Sequence, residues 1–230
     1  MVLDLLGSDL DLRAWVLSPA GRAIAGPKAA GPGLPSDLCA KLAGEHLAAA
    51  RTGRRGPHRV TLGASTYSLF PVRSSGRSPQ ASRDVRETVL SDWLLAVEAD
   101  AGDWPEERLD LLQGVTQLIA VERDRRDAAR TVRRRLAQEV LELVQTGAAP
   151  AEIAARLRVA APVLLPGLGA APHWQVVVAR VEWQDSELEG GPVAQSLLEE
   201  ILVDPLATGP EPSDRIAVAH TGDEAIALVP

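Results

Sequence analysis

Hydrophobic and polar positions change period several times along the chain. In DLRAWVL (11–17), Leu12, Ala14 and Val16 fall on one face of an alternating segment, which predicts a strand. SPAGR follows with the Pro and Gly of a tight turn, and 23–25 returns as a second strand. GPKAAGPGLPS reads as a loop from its Gly and Pro content. Ser36 is placed to cap a helix reaching about Thr52, with apolar positions Leu38, Leu42 and Leu47 and with Gly53 to stop it. HRVTLG (58–63) and STYSLFPVR (65–73) predict two strands, whose connecting pair Gly63-Ala64 does not fix a turn type. SSGRSPQASRD (74–84) is polar and Ser-rich and predicts a loop, with an ordered lid or a mobile segment both open over 74–86. TVLSDWLLAVEAD (88–100) predicts a strand with 94–97 buried at a sheet centre.

From Pro105 to Thr146 the period is helical, with Pro105 in the first turn behind Asp103 as a cap. Leu109, Leu112, Thr116 and Ile119 form one apolar stripe, and Val132, Leu136, Val140 and Leu143 another. Between them ERDRRDAARTVRRR (122–135) is almost wholly charged, the pattern of a helix that leaves one domain, crosses solvent and enters a second. Gly114 costs about 1 kcal/mol in a helix interior and marks a candidate bend. Gly147 ends the helix. A short helix is predicted at 150–159, a loop at APVLLPGLGAAPH, and a central strand in WQVVVARVEW (174–183), which is apolar on both faces. A helix at 191–203 and the loop DPLATGPEPSD lead to a hairpin of RIAVAH (215–220) and EAIALVP (224–230). The expected fold is α+β: a GAF- or PAS-like antiparallel-sheet sensor with helices and a cavity at 1–104, a connecting and dimerisation helix at 105–146, and a second α/β domain at 147–230.

Composition narrows the function classes. With 46% apolar residues in 230 the chain is a folding sequence rather than a disordered one. A net charge of −7 argues against binding nucleic acid or a membrane surface through the chain as a whole. Twenty-two Arg against two Lys, with abundant Ala and Pro, read as coding bias rather than function. The single cysteine, Cys39, leaves no disulfide within the chain, predicts a reducing, cytosolic setting, and on a helix reads as a buried structural thiol. No basic-then-apolar leader opens the sequence and no apolar run reaches spanning length.

The stretch HTGDEAIALVP (220–230) resembles a damaged Gly-Gly-Asp-Glu-Phe turn of enzymes that make cyclic dinucleotides from GTP. Such a site needs small hairpin residues beside the phosphates, and carboxylates from the hairpin and the preceding strand to hold Mg²⁺. Gly222, Asp223 and Glu224 are kept, while Thr221 and Ala225 replace the first Gly and the Phe. Arg180, in Ala179-Arg180-Val181-Glu182, stands where the first metal-binding Asp belongs, and its guanidinium stays charged. The expectation is an ordinary type I′ or II′ hairpin with exposed acids, and no catalysis, metal or cofactor.

PAEIAARLRV (150–159) resembles the first helix of a helix-turn-helix, but Pro162, Pro166 and the glycines oppose a recognition helix, and polar base-reading side chains are missing. The seven arginines of 123–135, interleaved with Glu122, Asp124 and Asp127, read as a solvated helix face with i,i+4 pairs. None of His46, His58, His173 and His220 stands at ligand spacing to Cys, Asp or another His. Trp15, Tyr67, Phe70 and Trp93 are candidate lining residues of the sensor cavity, with core packing as the alternative; Tyr67 and Phe70 lie on opposite faces of their strand. Leu109, Leu112, Ile119, Val132 and Leu136 are candidate dimerisation positions, although the charged middle breaks a continuous coiled-coil seam.

The stretches LGASTYSLFPV (62–72), WLLAVEAD (93–100) and LLQGVTQLIAVERDRR (111–126) resemble the PucR-type (purine-catabolism regulator) family of bacterial transcription regulators, as do LAQEVLELVQTGAAPAEIAARL (136–157), WQVVVARVEW and RIAVAHTGDEAIALVP. The resemblance covers most of the chain as texture rather than as invariant catalytic motifs. It implies an N-terminal sensory domain that binds a signal or partner, a degenerate GGDEF-like domain, and DNA contact through a C-terminal helix-turn-helix. That motif is not found here, so the chain is expected to be a fragment cut inside or just past the second domain. The expected protein is the non-catalytic regulatory region of such a regulator: cytoplasmic, homodimeric, responsive to an unknown small-molecule effector, and without membrane contact. The alternatives are a ligand-free interaction module and a diguanylate-type cyclase.

Overall fold

The computed structural model describes residues 2–27, 33–52, 57–73, 92–164, 175–182, 190–202 and 216–229. In chain order the elements are α1 (Val2–Leu10), β1 (Ala14–Leu17), β2 (Ala23–Ala25), α2 (Ser36–Arg51), β3 (His58–Leu62), β4 (Ser65–Val72), β5 (Trp93–Val97), α3 (Glu106–Gln145), α4 (Pro150–Leu164), β6 (Gln175–Arg180), α5 (Gly191–Leu202), β7 (Ala217–Thr221) and β8 (Glu224–Val229). Helices and antiparallel sheets together make an α+β protein. The chain divides into two compact units, Met1–Arg125 and Arg126–Pro230, with the division inside α3. The expected loop at 74–86 and the stopping residue Gly53 lie outside the described residues.

The first unit is built on a five-stranded sheet in the order β2-β1-β5-β4-β3 with every neighbouring pair antiparallel. β5, WLLAV, is buried at every position and occupies the sheet centre, as its apolar run predicts. Alternation sends Val16, Phe70, Val72, Trp93 and Leu95 to one face, where Leu3 and Leu6 of α1 and Leu112 and Val115 of α3 cover them. Trp15, Leu17, Tyr67, Leu69 and Leu94 face the other way, onto Cys39, Leu42 and Ala43 of α2. α1 is absent from the sequence expectation, because its nine residues are too few to establish a period. It ends where Asp11 turns left-handed (φ 51) and the Leu12 N–H returns to the Leu6 carbonyl at 3.0 Å.

Turn chemistry closes the sheet. The tight turn expected in SPAGR forms, with the Gly21 N–H donating to the Ser18 carbonyl at 3.0 Å. Gly21 (φ 78) abuts α2 so closely that a Cβ there would lie 2.6 Å from Ala40 Cα. Between β3 and β4, Gly63 takes φ 64 with Leu62 opposite Ser65, the backbone sign expected of a type II′ turn. Ser36 does not cap α2: it is the first helical residue, and Pro35 precedes it with no side-chain cap bond. Likewise Pro105 sits just before α3 rather than inside it, and its carbonyl accepts the N–H groups of Arg108 and Leu109.

The arginine run is not uniformly solvated, which corrects the reading of 122–135. Arg123 is buried (side chain 1% exposed) and its Nη1 donates to Asp92 Oδ1 at 3.0 Å, joining α3 to the entry of β5. In the second unit Arg130 meets Glu200 and Arg134 Nε meets Glu199, each at 2.9 Å, fastening α3 to α5. Arg125 and Arg135 stay exposed and pair along the helix with Glu122 and Glu139.

The second unit carries the sheet β6-β8-β7. Ala194 and Leu198 of α5 cover Val218, Ala225 and Ala227 on one face. Ala137 of α3 and Ala160 of α4 meet Ala219 on the other, with Leu228 packed beside them. β6 was expected at the centre; among the described strands it is an edge, with Val176 and Val178 exposed and Val177 and Ala179 half-buried. β8 takes the centre because it pairs with both β6 and β7. The helix expected to stop at Val159 runs on to Leu164 through Pro162. Buried Ala160 packs it against the unit, and the carbonyl that Pro162 cannot engage belongs to exposed Arg158. α3 ends in a Schellman motif: Gly147 has φ 72, its N–H reaches the Val144 carbonyl, and the Ala148 N–H reaches that of Leu143.

The outer edge of β7 is closed by glutamine amides. Gln138 Nε2 donates to the His220 carbonyl at 3.0 Å while its Oε1 accepts the His220 N–H at 3.2 Å. Gln195 Nε2 donates to the Val218 carbonyl at 2.8 Å. These bonds satisfy edge groups that would otherwise invite another strand.

The Arg123–Asp92 pair should be asymmetric. Asp92→Ala leaves a deeply buried guanidinium without this carboxylate and is expected to cost about 3 kcal/mol or more. Arg123→Met leaves Asp92, which is nearer to water, and should cost less; equilibrium urea unfolding of both variants measures the difference.

Candidate functional site

The corner most open to a chemical reading is the β7–β8 turn and the start of α5. Thr221 pairs with Glu224, and Gly222 between them takes φ 50, again the type II′ sign pattern. The hairpin expected from the sequence is therefore present. Its acid is engaged: Asp223 Oδ1 accepts the Gly190 N–H at 3.0 Å at the entry to α5, where the helix N-terminus favours negative charge. Arg180 Nη2 lies 3.8 Å from Asp223 Oδ2, and Arg180 is also the cross-strand neighbour of Glu224. The place where a cyclase would gather carboxylates around Mg²⁺ thus holds a guanidinium and a capping carboxylate.

Two glycines make this approach possible, and the sequence reading passed over them. The Gly191 N–H donates to the Gly222 carbonyl at 2.9 Å, and a Cβ on Gly191 would run into that same oxygen. A Cβ on Gly190 would stand 2.6 Å from the Val181 carbonyl oxygen. A Gly-Gly pair at the start of a helix was the available signal, since it marks close backbone approach.

The four aromatic residues proposed to line a sensor cavity do not converge. Trp15 and Tyr67 belong to the cluster under α2, whereas Phe70 and Trp93 belong to the opposite cluster under α1 and α3. All four side chains are buried. Tyr67 and Phe70 do lie on opposite faces, as alternation requires. Of the five proposed dimer positions, Leu109, Leu112 and Ile119 pack on the first unit's core and Leu136 on the second's. Val132 is exposed. Four of the five candidate dimer positions are thus wholly or partly engaged in intrachain packing, because the sheets need helical cover.

A histidine pair in the first unit also went unread. His46 of α2 and His58 of β3 have parallel rings with centroids 5.7 Å apart. His46 is 4% exposed, and its Nδ1 has no hydrogen-bond partner among the described residues. Burial, then the neighbouring His58 and Arg73, push its pKa down to about 4, so the ring is neutral in the fold. Cys39 is a buried free thiol whose pKa burial raises. Among the described residues no group of three or more His, Cys, Asp or Glu is gathered to hold a metal ion, and no helix is long and apolar enough to cross a membrane.

Comparison of the chain with family models, curated proteins and solved structures gave no match. Its class therefore rests on its own architecture, an α+β protein of two units with a helix contributing to both.

Gly191→Ala should destabilise the second unit by about 1–3 kcal/mol, since backbone rather than a pliable side chain opposes the added methyl; thermal unfolding reads this directly. His46 sets a pH dependence. An unfolded chain takes up a proton near pH 6.5, the folded one only near 4, so this contribution is complete above 6.5 and lost as pH falls from 6.5 towards 4. His46→Gln should flatten the stability profile across that window in difference measurements against the parent chain.

Proposed function

We propose that residues 1–230 are the regulatory region of a bacterial transcription regulator of the PucR type, acting by binding and as a homodimer. The observation that carries this reading is the hairpin corner, where Asp223 caps the entry to α5 beside Arg180. A turn shaped like that of a nucleotide cyclase is used there for packing, which supports a degenerate, non-catalytic domain. The first unit supports a GAF-like sensor through its antiparallel sheet carrying helices on both faces. In this reading an effector that prefers one arrangement of the first unit shifts α3, whose N-terminal half belongs to that unit's core, between two dimer geometries. DNA is contacted through a helix-turn-helix outside these residues, and the protein works in the cytoplasm.

A second reading, a ligand-free interaction module, is favoured by the packing of Trp15, Tyr67, Phe70 and Trp93 into separate cores. Thermal-shift measurements against nucleotides, cyclic dinucleotides, purine-breakdown products, amino acids and acyl compounds separate the two. A sensor should gain roughly 5 °C with its ligand at about a hundred times Kd. A flat response across the panel assigns the chain to the interaction module. Incubation with GTP and Mg²⁺ should leave GTP unchanged, and formation of a cyclic dinucleotide would overturn both readings.

A further inference from the structure

The exposed side of α3 within the first unit carries an apolar seam that none of the described elements covers. Leu111, Leu118 and Val121 are 45%, 60% and 61% exposed on a helix whose opposite side is buried. With Gly114 between the leucines, the spacing alternates three and four residues, which is the a/d pattern of a two-helix seam. Gly114 itself has no intrachain reason to be a glycine. Its φ is not positive, and nothing lies within 4 Å of the position a Cβ would occupy. A glycine in a helix interior costs about 1 kcal/mol relative to alanine, and the close approach of a second helix would offset that cost.

We propose that this seam binds the same seam of a second copy of the chain, with the two helices antiparallel and the two-fold axis crossing the seam midway between Gly114 and Leu118. The proposal rests on the dimer in the reading above and assigns its contact face, away from the Leu109, Leu112 and Ile119 stripe. Charge decides the direction. Antiparallel pairing sets Leu118 over the partner's Gly114 and Leu111 against the partner's Val121. One layer further out it sets exposed Glu107 against the partner's exposed Arg125, at both ends. Parallel pairing would instead place Glu107 on Glu107 and Arg125 on Arg125, with two glycines facing across a void. Among the described residues Arg125 makes an exposed i,i+3 contact with Glu122 at 3.3 Å, which is weak enough to be exchanged.

The test uses the full chain. Leu111→Cys and Val121→Cys proteins, mixed and oxidised, should give a disulfide dimer containing one of each. Neither alone should crosslink at the introduced site. A crosslink in the Leu111→Cys protein alone means parallel helices and overturns the proposal. Light scattering distinguishes the remaining failures: a dimer that never crosslinks in the mixture removes this face but keeps the dimer, whereas a monomer at all concentrations removes both and leaves effector binding to be judged by thermal shift. Arg125→Glu should weaken the dimer at least about tenfold, and adding Glu107→Arg in the same chain should restore it. Failure of the double exchange to restore association would overturn the charge pairing, and with it the antiparallel assignment.

Discussion

β5 has no face that can meet water, and the first unit is arranged around that constraint. Its five residues are buried on both sides of the sheet, so two independent layers of helix are required. α2 supplies one layer. α1 and the first half of α3 supply the other, which is why Leu109, Leu112 and Ile119 face inwards. Polar contacts tie both ends of β5 to this cover. Asp92 takes the buried Arg123 of α3 at the entry. At the exit, Ser68 Oγ donates to the Ala99 carbonyl and accepts the Ala101 N–H, fixing the turn that leads towards α3.

The second unit solves a different problem with fewer strands. Among the described residues its sheet has three strands, so both edges lie close to the centre, and side-chain amides of Gln138 and Gln195 engage the β7 edge. The hairpin and α5 meet backbone to backbone across Gly190, Gly191 and Gly222, and Asp223 completes the contact by capping the helix entry. The acid that makes the turn look catalytic is thus part of what holds the helix in place.

α3 contributes to both units. Its inward side packs on the sheets and also carries Arg123, Arg130 and Arg134 to acids on other elements, while Leu111, Leu118 and Val121 remain exposed on the opposite side of its first half. The sequence shows two apolar stripes, which predict a helix passing from one domain into another and also offer candidate dimer positions. The intrachain cores claim most of those positions first, since covering β5 removes far more apolar surface from water than a surface seam does.

By itself the sequence determined the local elements: strand alternation in DLRAWVL, the apolar run of WLLAV, the tight turn at Gly21, the long helix, its Gly147 stop and the glycine-bearing hairpin. These depend on side-chain period and backbone conformational freedom, which act over a few residues. Only the tertiary structure decided which strand lies at the centre of the second sheet, where β8 took the place that the apolar residues on both faces of β6 suggested for β6. It also decided which of seven similar arginines is buried, because the partner of Arg123 lies 31 residues away in sequence. The same holds for the candidate site, where the bond between Asp223 and Gly190 spans 33 residues. Charge and hydrogen-bond pairing are set by distance in space, and no period along the chain encodes that distance.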